Sequence, residues 1–301
     1  MTVIGIDIGQ SGSRARRSGS SEDMTGPGYW SAPIPVLVRD LVQAIAPVDE
    51  PLRLGVGLTG YEPQSNQASA IGQALSEAGF RASVVIADDC LTAYLGALDC
   101  EPGGMVIAGT GSVALALDPG HAMARADGWG SELGDHGSGY WIGREAIRQG
   151  LRLHDAGLED ALVDSLVDHW GPLATIASTW RRDRPDIEAI AAFARPVITL
   201  AGEGNATATD IASRAARHLA ESLAMTIQRA GLSERAVPYT GLGGIFAAGA
   251  AITTPFVEAM QTLMPAAHYR PPEADPLTGC ITLAEIRPDP VMQPLYETFG
   301  D

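Results

Sequence analysis

Short apolar runs alternate with an amphipathic stretch in the first third of the chain. VIGIDI (3–8), LRLGVGLTG (52–60) and ASVVIADD (82–89) are rich in β-branched residues, which is typical of buried strands. SNQASAIGQALSEAGF separates the last two runs and predicts a helix. This order predicts a sheet with a parallel portion. SRARRSG (13–19) follows VIGIDI closely and predicts the return strand of a hairpin.

The pattern changes further along the chain. MVIAGTGSVALAL (105–117) places two apolar arms around a turn of small residues and predicts a second hairpin. After Gly139, alanine-rich amphipathic helices dominate, the longest over 207–231. We therefore predict a domain boundary near residue 100, in the turn CEPGG. The predicted domains are 1–100, completed by a C-terminal helix near 275–290, and 101–274.

Composition and charge restrict the partners. The chain has 301 residues, 46% of them hydrophobic, which is enough to bury cores in two domains. Its formal net charge of −16 repels nucleic acid and anionic membranes, so neither is expected as a partner. The chain begins directly with an apolar strand and has no run of membrane-spanning length, so a cytoplasmic protein is expected. Cys90, Cys100 and Cys280 lack C-x-x-C spacing and are predicted to be buried free thiols.

Two glycine-rich turns have the composition of phosphate-binding loops. Small residues let backbone N–H groups and hydroxyls approach an anion closely. The first turn, in DIGQSGSR, offers Gly9, Gln10, Ser11, Gly12, Ser13 and Arg14. The second turn, in AGTGS, offers Gly109, Thr110, Gly111 and Ser112. Either turn alone is equally typical of a plain β-turn. One such turn in each half of the chain favours the binding of a polyphosphate. Neither turn has the spacing of a P-loop or of a Rossmann dinucleotide site.

Two further glycine clusters need an explanation. GWGSELGDHGSGYWIG (128–143) holds six glycines beside acidic side chains, which is typical of a flexible connector or of backbone that comes close to a ligand. TGLGGIFAAG (240–249) follows the short strand AVPY and opens a helix. Gly243 and Gly244 serve either that helix entry or contact with a nucleoside.

These motifs in this order resemble the N-acetylglucosamine kinases and BadF/BadG-type ATPases of the actin-like sugar-kinase superfamily. The motifs are DIGQSGSR, an Asp at a strand end in IADDCLTAYLGAL, IAGTGS, GWGSELGDHGSGYWIG and GLGGIF. The resemblance runs from residue 3 to about residue 285 and is strongest over 128–143. It implies an α/β fold of two ribonuclease-H-like (actin-like ATPase) domains with an interdomain cleft. In that family the cleft closes over ATP, Mg²⁺ and a hexose, and the γ-phosphate passes to the sugar 6-hydroxyl.

The resemblance also assigns roles to residues. DIGQSGSR and AGTGS become the two phosphate loops, GLGGIF becomes the adenosine contact, and Asp7 lies near Mg²⁺ through water. The glycine-rich loop becomes a wall against which the sugar lies, with Asp135 accepting hydrogen bonds from sugar hydroxyls. Gly130 and Thr110 are predicted at the same substrate. Trp129 either flanks the sugar or belongs to the core, and the core is favoured.

Asp88 and Asp89 compete for the role of catalytic base. Both end the strand ASVVIADD, and adjacent strand residues point to opposite sides, so only one can face the site. By its distance from AGTGS and LGAL, Asp89 corresponds to the family's catalytic Asp. Its predicted role is to orient the attacking hydroxyl and accept its proton, since phosphoryl transfer depends mainly on positioning and charge neutralisation.

Departures from the family pattern bear on the substrate. His136 replaces the Glu of GDEGS, and Tyr29 with Trp30 replaces the Asn that N-acetylglucosamine kinases often carry after the first hairpin. Glu132 adds a carboxylate to the wall, which an ammonium group would favour over an acetamido group. Glucosamine is therefore the predicted acceptor, as in glucosamine kinases of high-GC bacteria. The alternative acceptor is N-acetylglucosamine or another hexose. The alternative explanation of Glu132 is that it faces solvent or pairs with an arginine.

Two other classes are weighed and set aside. A BadF-type activator of a radical dehydratase needs paired cysteines for a cluster, which the three dispersed cysteines do not supply. A non-catalytic sugar sensor on the same fold normally adds a helix-turn-helix before the first strand, and this sequence shows none there. The nucleotide preference and the oligomeric state stay open, with a homodimer as one alternative.

Overall fold

The computed structural model describes residues 1–47, 49–62, 64–183, 186–286 and 296–300. The first elements are β1 (Thr2–Ile8), β2 (Gly12–Arg17), β3 (Met24–Pro27), α1 (Ile34–Ile45), β4 (Leu52–Leu58), α2 (Gln67–Glu77), β5 (Ala82–Asp88) and α3 (Asp89–Leu98). They are followed by β6 (Gly103–Ala108), β7 (Ser112–Leu117), β8 (Met123–Asp127), α4 (Gly139–Asp155), α5 (Ala161–Trp170), α6 (Leu173–Arg182), α7 (Ile187–Ala192) and α8 (Ala194–Gly202). The last are α9 (Ala206–Arg229), β9 (Pro238–Leu242), α10 (Gly244–Ala247), α11 (Ala250–Leu263), β10 (His268–Tyr269), α12 (Pro276–Ile286) and β11 (Tyr296–Phe299).

The chain divides into two compact units, each with its own sheet. Unit 1 comprises Met1–Pro102, Leu117–Met123 and Pro271–Asp301, and unit 2 comprises Gly103–Ala116 and Ala124–Arg270. The sequence predicted the domain boundary near residue 100 and a helix near 275–290 that completes the N-terminal domain. The helix found there is α12, which ends at Ile286, and residues 287–290 lie outside the described residues. The return of 117–123 to unit 1 was not predicted.

The sheet of unit 1 has the strand order β11-β5-β4-β1-β2-β3. β1, β4 and β5 run parallel, whereas β2 pairs antiparallel with β1 as the return strand of a hairpin. The predicted hairpin and parallel portion are therefore confirmed. Residues of β1, β4 and β5 form an apolar core with α1 and α2.

Glycines within the strands of unit 1 allow a helix to pack directly on the sheet. A Cβ at Gly55 in β4 would lie 1.9 Å from the carbonyl oxygen of Cys280 in α12, and a Cβ at Gly5 in β1 would lie 2.6 Å from that of Leu277. No side chain fits into these spaces, so the glycines of VIGIDI and LRLGVGL are explained by close approach of backbone.

The sheet of unit 2 has the order β10-β9-β6-β7-β8, with β6 and β9 parallel. Its two hairpin arms, β6 and β7, are neighbours joined by the AGTGS turn, as predicted. The long helix predicted over 207–231 is α9, which begins after Asn205, whose side chain accepts a hydrogen bond from the Ala208 N–H. Alanine and leucine side chains of α9 pack into the core of this unit.

The three cysteines are free thiols, as predicted. Cys90 and Cys280 are buried, whereas Cys100 is only half-buried. Burial raises the pKa of the Cys280 thiol. In the part of the chain that the structure describes, no helix has both the length and the apolar character needed to cross a membrane.

Candidate functional site

The carboxyl ends of three parallel strands meet at one edge of the sheet in unit 1. Ile8 of β1 is paired with Leu58 of β4, and Leu58 is paired with Asp88 of β5. The residues that leave these strands are therefore neighbours at this edge. They are the DIGQSGSR turn, Thr59 and Asp89, and in parallel sheets such an edge is where ligands bind.

The two adjacent acids at this edge are separated by the start of a helix. Asp88 is the last residue of β5 and caps α3, its Oδ1 accepting a hydrogen bond of 2.9 Å from the Cys90 N–H. Asp89 is the first helical residue, and its Oδ2 accepts a hydrogen bond of 2.7 Å from Thr59 Oγ1. The premise that both acids end the strand was therefore wrong. Because Asp88 caps the helix, Asp89 remains the better candidate for chemistry.

Burial raises the pKa of Asp89 to about 6. The hydrogen bond from Thr59 opposes this shift, and the negative charges of Asp88 and Asp7 reinforce it. A carboxylate with a pKa just below neutral is ionised at pH 7 and still basic enough to take a proton from a hydroxyl in the transition state.

Asp89→Asn should change the pH dependence of stability. The pKa of Asp89 is about 6 in the folded protein and 3.8 ordinarily, so its contribution to the stability of the wild-type protein falls as pH rises between these values. Removing the ionisable group removes that loss, which is roughly 3 kcal/mol for a pKa raised from 3.8 to about 6. In urea denaturation from pH ~4 to ~7, the free energy of unfolding of the variant should therefore rise relative to that of the wild type. Glu77→Gln, on the exposed part of α2, is the control, and parallel curves for Asp89→Asn and wild type would contradict the raised pKa.

The DIGQSGSR turn is held by hydrogen bonds that use some of its predicted phosphate ligands. Arg14 Nη2 lies 2.8 Å from Asp7 Oδ2 in an ion pair across the β1–β2 hairpin. Ser13 is buried, and its Oγ donates to the Pro27 carbonyl at 2.8 Å. Its hydroxyl therefore does not face a ligand, contrary to the prediction. Gly9 donates to the Gly12 carbonyl and closes the turn. Its exposed residues are Gln10, Ser11 and Gly12.

A small polar cavity lies beside Thr59 in unit 1. It has a volume of about 150 Å³. Its lining consists of Tyr29, Ile34, Leu58, Thr59, Gly60, Glu62, Ser65 and Gln67. Because Thr59 also binds Asp89, a ligand in this cavity lies next to the candidate base. We call it the Thr59 cavity. Of its polar residues the sequence singled out only Tyr29, since the loop after β4 carries no recognisable motif.

The start of α4 holds the AGTGS turn through backbone hydrogen bonds. Gly139 N–H donates to the Gly109 carbonyl at 2.7 Å, and Tyr140 N–H donates to the Thr110 carbonyl at 3.1 Å. A Cβ at Gly139 would lie 2.9 Å from the Gly109 oxygen, so the contact needs a glycine. The glycine-rich loop thus supports the second turn, and its glycines come close to protein backbone.

Asp135 occupies the interior of this loop. It is 8% exposed, and its carboxylate accepts hydrogen bonds from the N–H groups of Ser112 and Gly130. Burial raises its pKa, and those two hydrogen bonds oppose the shift. Ser112 is also buried, and its Oγ donates to the His136 carbonyl at 3.2 Å. The side chains of Asp135 and Ser112 therefore join the loop to the turn, which corrects the prediction that they face sugar and phosphate.

The predicted wall residues Trp129 and Glu132 lie elsewhere than expected. Trp129 is 74% exposed, so the favoured assignment to the core was wrong. Glu132 is exposed and lines a cavity with Arg144 and Arg148, which is separate from the cavity at Thr110. The position of Glu132 therefore no longer supports the prediction that the wall binds the ammonium group of an amino sugar.

A larger cavity in unit 2 lies between the AGTGS turn and the start of α10. Its volume is about 770 Å³, and we call it the glycine cavity. Its lining consists of Gly109, Thr110, Gly139, Glu188, Ala191, Ala192, Ala194, Arg195, Ile198, Thr199, Gly244, Ile245, Ala247 and Ala248. Mostly small and apolar side chains with a few polar groups are typical of a site for a small organic ligand. Gly243 does not line this cavity, but it positions the start of α10, which does. Its φ is +93°, and a Cβ at this position would lie 2.4 Å from the Ala108 carbonyl oxygen, so a glycine is needed here.

Arg195 is a candidate ligand that sequence reasoning missed. The chain contains no lysine, so arginine is its one side chain that carries a positive charge throughout the neutral pH range. Arg195 is exposed at the start of α8, lines the glycine cavity, and forms no ion pair with another described residue. It lies far from the glycine motifs in sequence, and only the packing of α8 brings it to them.

Two carboxylates at the edge of unit 1, those of Asp7 and Asp89, are the candidate donors for a metal ion. In the described ranges, no group of three or more His, Cys, Asp or Glu side chains is placed so that it could hold a metal ion by itself. Mg²⁺ does not require one, because it keeps several waters and binds one or two carboxylates together with phosphate oxygens. Asp7 and Asp89, whose charges interact, fit that chemistry.

Two α/β units, each with its own sheet and a glycine turn, have the architecture of the actin-like ATPase fold. A family model matches residues 4–281. The chain belongs to the BadF/BadG/BcrA/BcrD ATPase family.

The curated relatives that the chain matches are named as kinases of N-acetylated amino sugars. An N-acetylmuramic acid/N-acetylglucosamine kinase of Clostridium acetobutylicum is 26% identical over 193 residues, 63% of either chain. An N-acetyl-D-glucosamine kinase of Dictyostelium discoideum is 37% identical over 67 residues, 22% of this chain and 21% of that one. The chain thus spans less than two thirds of these curated relatives.

Among solved structures, a Chromobacterium violaceum protein proposed as an N-acetylglucosamine kinase has a TM-score of 0.69 at 24% identity, covering 94% of this chain and 98% of that one. A ROK family glucokinase of Streptomyces griseus, solved with glucose and AMPPNP, has a TM-score of 0.56 at 15% identity, covering 95% and 99%. These likenesses confirm the predicted α/β fold of two ribonuclease-H-like (actin-like ATPase) domains.

Proposed function

We propose that this protein is an ATP-dependent sugar kinase that phosphorylates an amino sugar of the N-acetylglucosamine class. The observation that carries the proposal is the position of Asp89. Its carboxylate lies at the carboxyl edge of the parallel strands, has a pKa raised to about 6, and is joined through Thr59 to a polar cavity. A base beside an acceptor pocket is the arrangement that phosphoryl transfer to a hydroxyl requires.

In the proposed reaction, a sugar hydroxyl is oriented by Asp89 and attacks the γ-phosphorus of ATP. The oxygen–phosphorus bond to the sugar forms, the bond to the β-phosphate oxygen breaks, and ADP leaves. The hydroxyl proton passes to Asp89. Thr59 holds the carboxylate in place through its 2.7 Å hydrogen bond, so the base is oriented before the sugar binds.

Within unit 2, the nucleotide base and ribose are proposed to occupy the glycine cavity beside Gly244, with Thr110 facing phosphate. Within unit 1, the exposed backbone of the first turn, Gln10 to Gly12, is proposed as a phosphate contact. Arg195 supplies positive charge in the glycine cavity. Mg²⁺, held by Asp7 through water, would neutralise phosphate charge when bound.

The choice of acceptor follows the relatives rather than the original prediction. Both curated relatives are named as kinases of N-acetylated amino sugars. Glu132, the residue that favoured glucosamine, lies beside arginines and away from Thr110. We therefore place N-acetylglucosamine before glucosamine as the proposed acceptor.

The direct test is an ATP-dependent phosphorylation assay with a panel of hexoses. The panel includes N-acetylglucosamine, glucosamine, N-acetylmuramic acid and glucose, with phosphorylated products identified by mass spectrometry. We expect N-acetylglucosamine to have the highest kcat/KM. A higher value for glucosamine would overturn the acceptor, and ATP hydrolysis that no sugar accelerates would overturn the kinase itself.

Glu62→Gln should weaken acceptor binding selectively. Glu62 supplies a carboxylate to the Thr59 cavity, and a charge-assisted hydrogen bond to a sugar hydroxyl contributes roughly 1.5–3 kcal/mol. The KM for the sugar should therefore rise about 10-fold or more, while the KM for ATP changes little. Glu77→Gln, in the same unit but away from the cavity, is the matched control. An unchanged sugar KM in Glu62→Gln would place the acceptor elsewhere.

A further inference from the structure

A second cavity of unit 2 shares no lining residue with the glycine cavity. Its volume is about 250 Å³. It is lined by Glu132, Tyr140, Arg144, Ile147, Arg148, Trp180 and Ile190. Tyr140, Arg144 and Arg148 lie four residues apart on α4 and therefore share one face of that helix. We call this the arginine cavity.

Arg144 carries the first argument for a ligand. Its Nε is buried and has no hydrogen-bond partner among the described residues. Its guanidinium lies 5.8 Å from the centre of the Tyr140 ring, which holds it in place without supplying a hydrogen-bond acceptor of usual strength. A buried cationic donor without an acceptor is costly, and an anion in the cavity would satisfy it.

Arg148 supplies a second positive charge to the same space. Its ion pair with Glu145, at 3.2 Å, is exposed on the arginine side, and exposed ion pairs contribute little to stability. Glu145 also lies 3.4 Å from Arg214, so it keeps a partner if Arg148 turns to a ligand. Two arginines in one cavity are therefore available to an anion, in a chain with a net charge of −16.

The other walls restrict what the anion carries. Glu132 presents a carboxylate, which repels a second anionic group but accepts hydrogen bonds from hydroxyls. Trp180 presents a ring against which the apolar face of a sugar can pack, whereas the Tyr140 ring is covered by Arg144. The lining therefore suits one phosphate joined to a hydroxylated ring.

We propose that the arginine cavity binds a hexose phosphate, with Arg144 and Arg148 on the phosphate and Glu132 on ring hydroxyls. The choice of a hexose phosphate, the chemical class of the reaction product, rests on the proposed function; the anion site rests on the arginines alone. Bound product would then occupy a site separate from the acceptor and nucleotide cavities.

The test is titration calorimetry of the whole protein with N-acetylglucosamine 6-phosphate, in the presence of saturating N-acetylglucosamine to occupy the acceptor site. We expect one binding event whose affinity falls ~10-fold or more in Arg144→Gln and in Arg148→Gln. Arg152→Gln, one turn further along α4 and outside the cavity, should bind as the wild type does. Thermal unfolding of each variant checks the fold.

The outcomes separate the inference from the proposed function. Binding lost equally in Arg152→Gln, or absent once N-acetylglucosamine saturates, would overturn the site. If inorganic phosphate binds as tightly as the sugar phosphate, the proposal that the cavity recognises the hexose ring is wrong. An intact arginine-dependent event in a protein without kinase activity would refute the proposed function and leave the site standing.

Discussion

Asp89→Asn is expected to lower kcat for sugar phosphorylation at least ~100-fold, since a positioned general base contributes about that much. Asn keeps the size of the side chain and can still accept the hydrogen bond from Thr59. The variant should therefore fold and bind sugar and ATP with affinities close to those of the wild type. Steady-state kinetics with both substrates varied will separate kcat from the two KM values.

Asp88→Asn is the matched control for this prediction. Asp88 caps α3, and Asn is as good an N-cap as Asp, so the helix start should persist. Its kcat should fall far less than that of Asp89→Asn. The wild-type rate should also decline below pH ~6 as Asp89 takes up a proton, a decline that the Asp89→Asn variant lacks. If Asp88→Asn is the inactive variant, the assignment at the strand end is reversed.

Gly243→Ala is expected to destabilise the protein by about 2–4 kcal/mol and to raise the KM for ATP. The backbone at Gly243 has φ of +93°, which an alanine adopts only under strain. The added Cβ would also lie 2.4 Å from the Ala108 carbonyl oxygen, which belongs to a strand and cannot easily move. Relief of that contact shifts the start of α10 and with it one wall of the glycine cavity.

The neighbouring residue offers a control for stability. A Cβ at Gly244 meets no atom within 4 Å, and the residue begins α10, where alanine is favourable. Urea denaturation of Gly244→Ala should therefore give a free energy of unfolding within ~1 kcal/mol of the wild type. If Gly243→Ala and Gly244→Ala lose the same free energy of unfolding, then the backbone conformation at Gly243 is not what positions this wall of the glycine cavity.

The local elements of the fold could be predicted because they depend on nearby residues. The β1–β2 hairpin, the parallel strands and the long helix α9 follow from apolar periodicity, turn residues and capping, all read within short windows. The order of five motifs indicated the family. The candidate base was also predicted, but for an incorrect reason, because the helix begins one residue earlier than the strand pattern suggested.

The amino-acid sequence by itself determined where the main strands, the long helix α9 and the glycine turns lie, and its motifs indicated the family. Only the tertiary structure decided what each polar side chain contacts. Asp135 and Ser112 look like ligands in sequence but are hydrogen-bonded inside the protein, whereas Arg195 and Glu62 carry no motif and line cavities. The physical reason is that backbone preferences are local, whereas burial, hydrogen bonding and the shape of a cavity depend on segments that are distant in sequence and meet only when the chain packs.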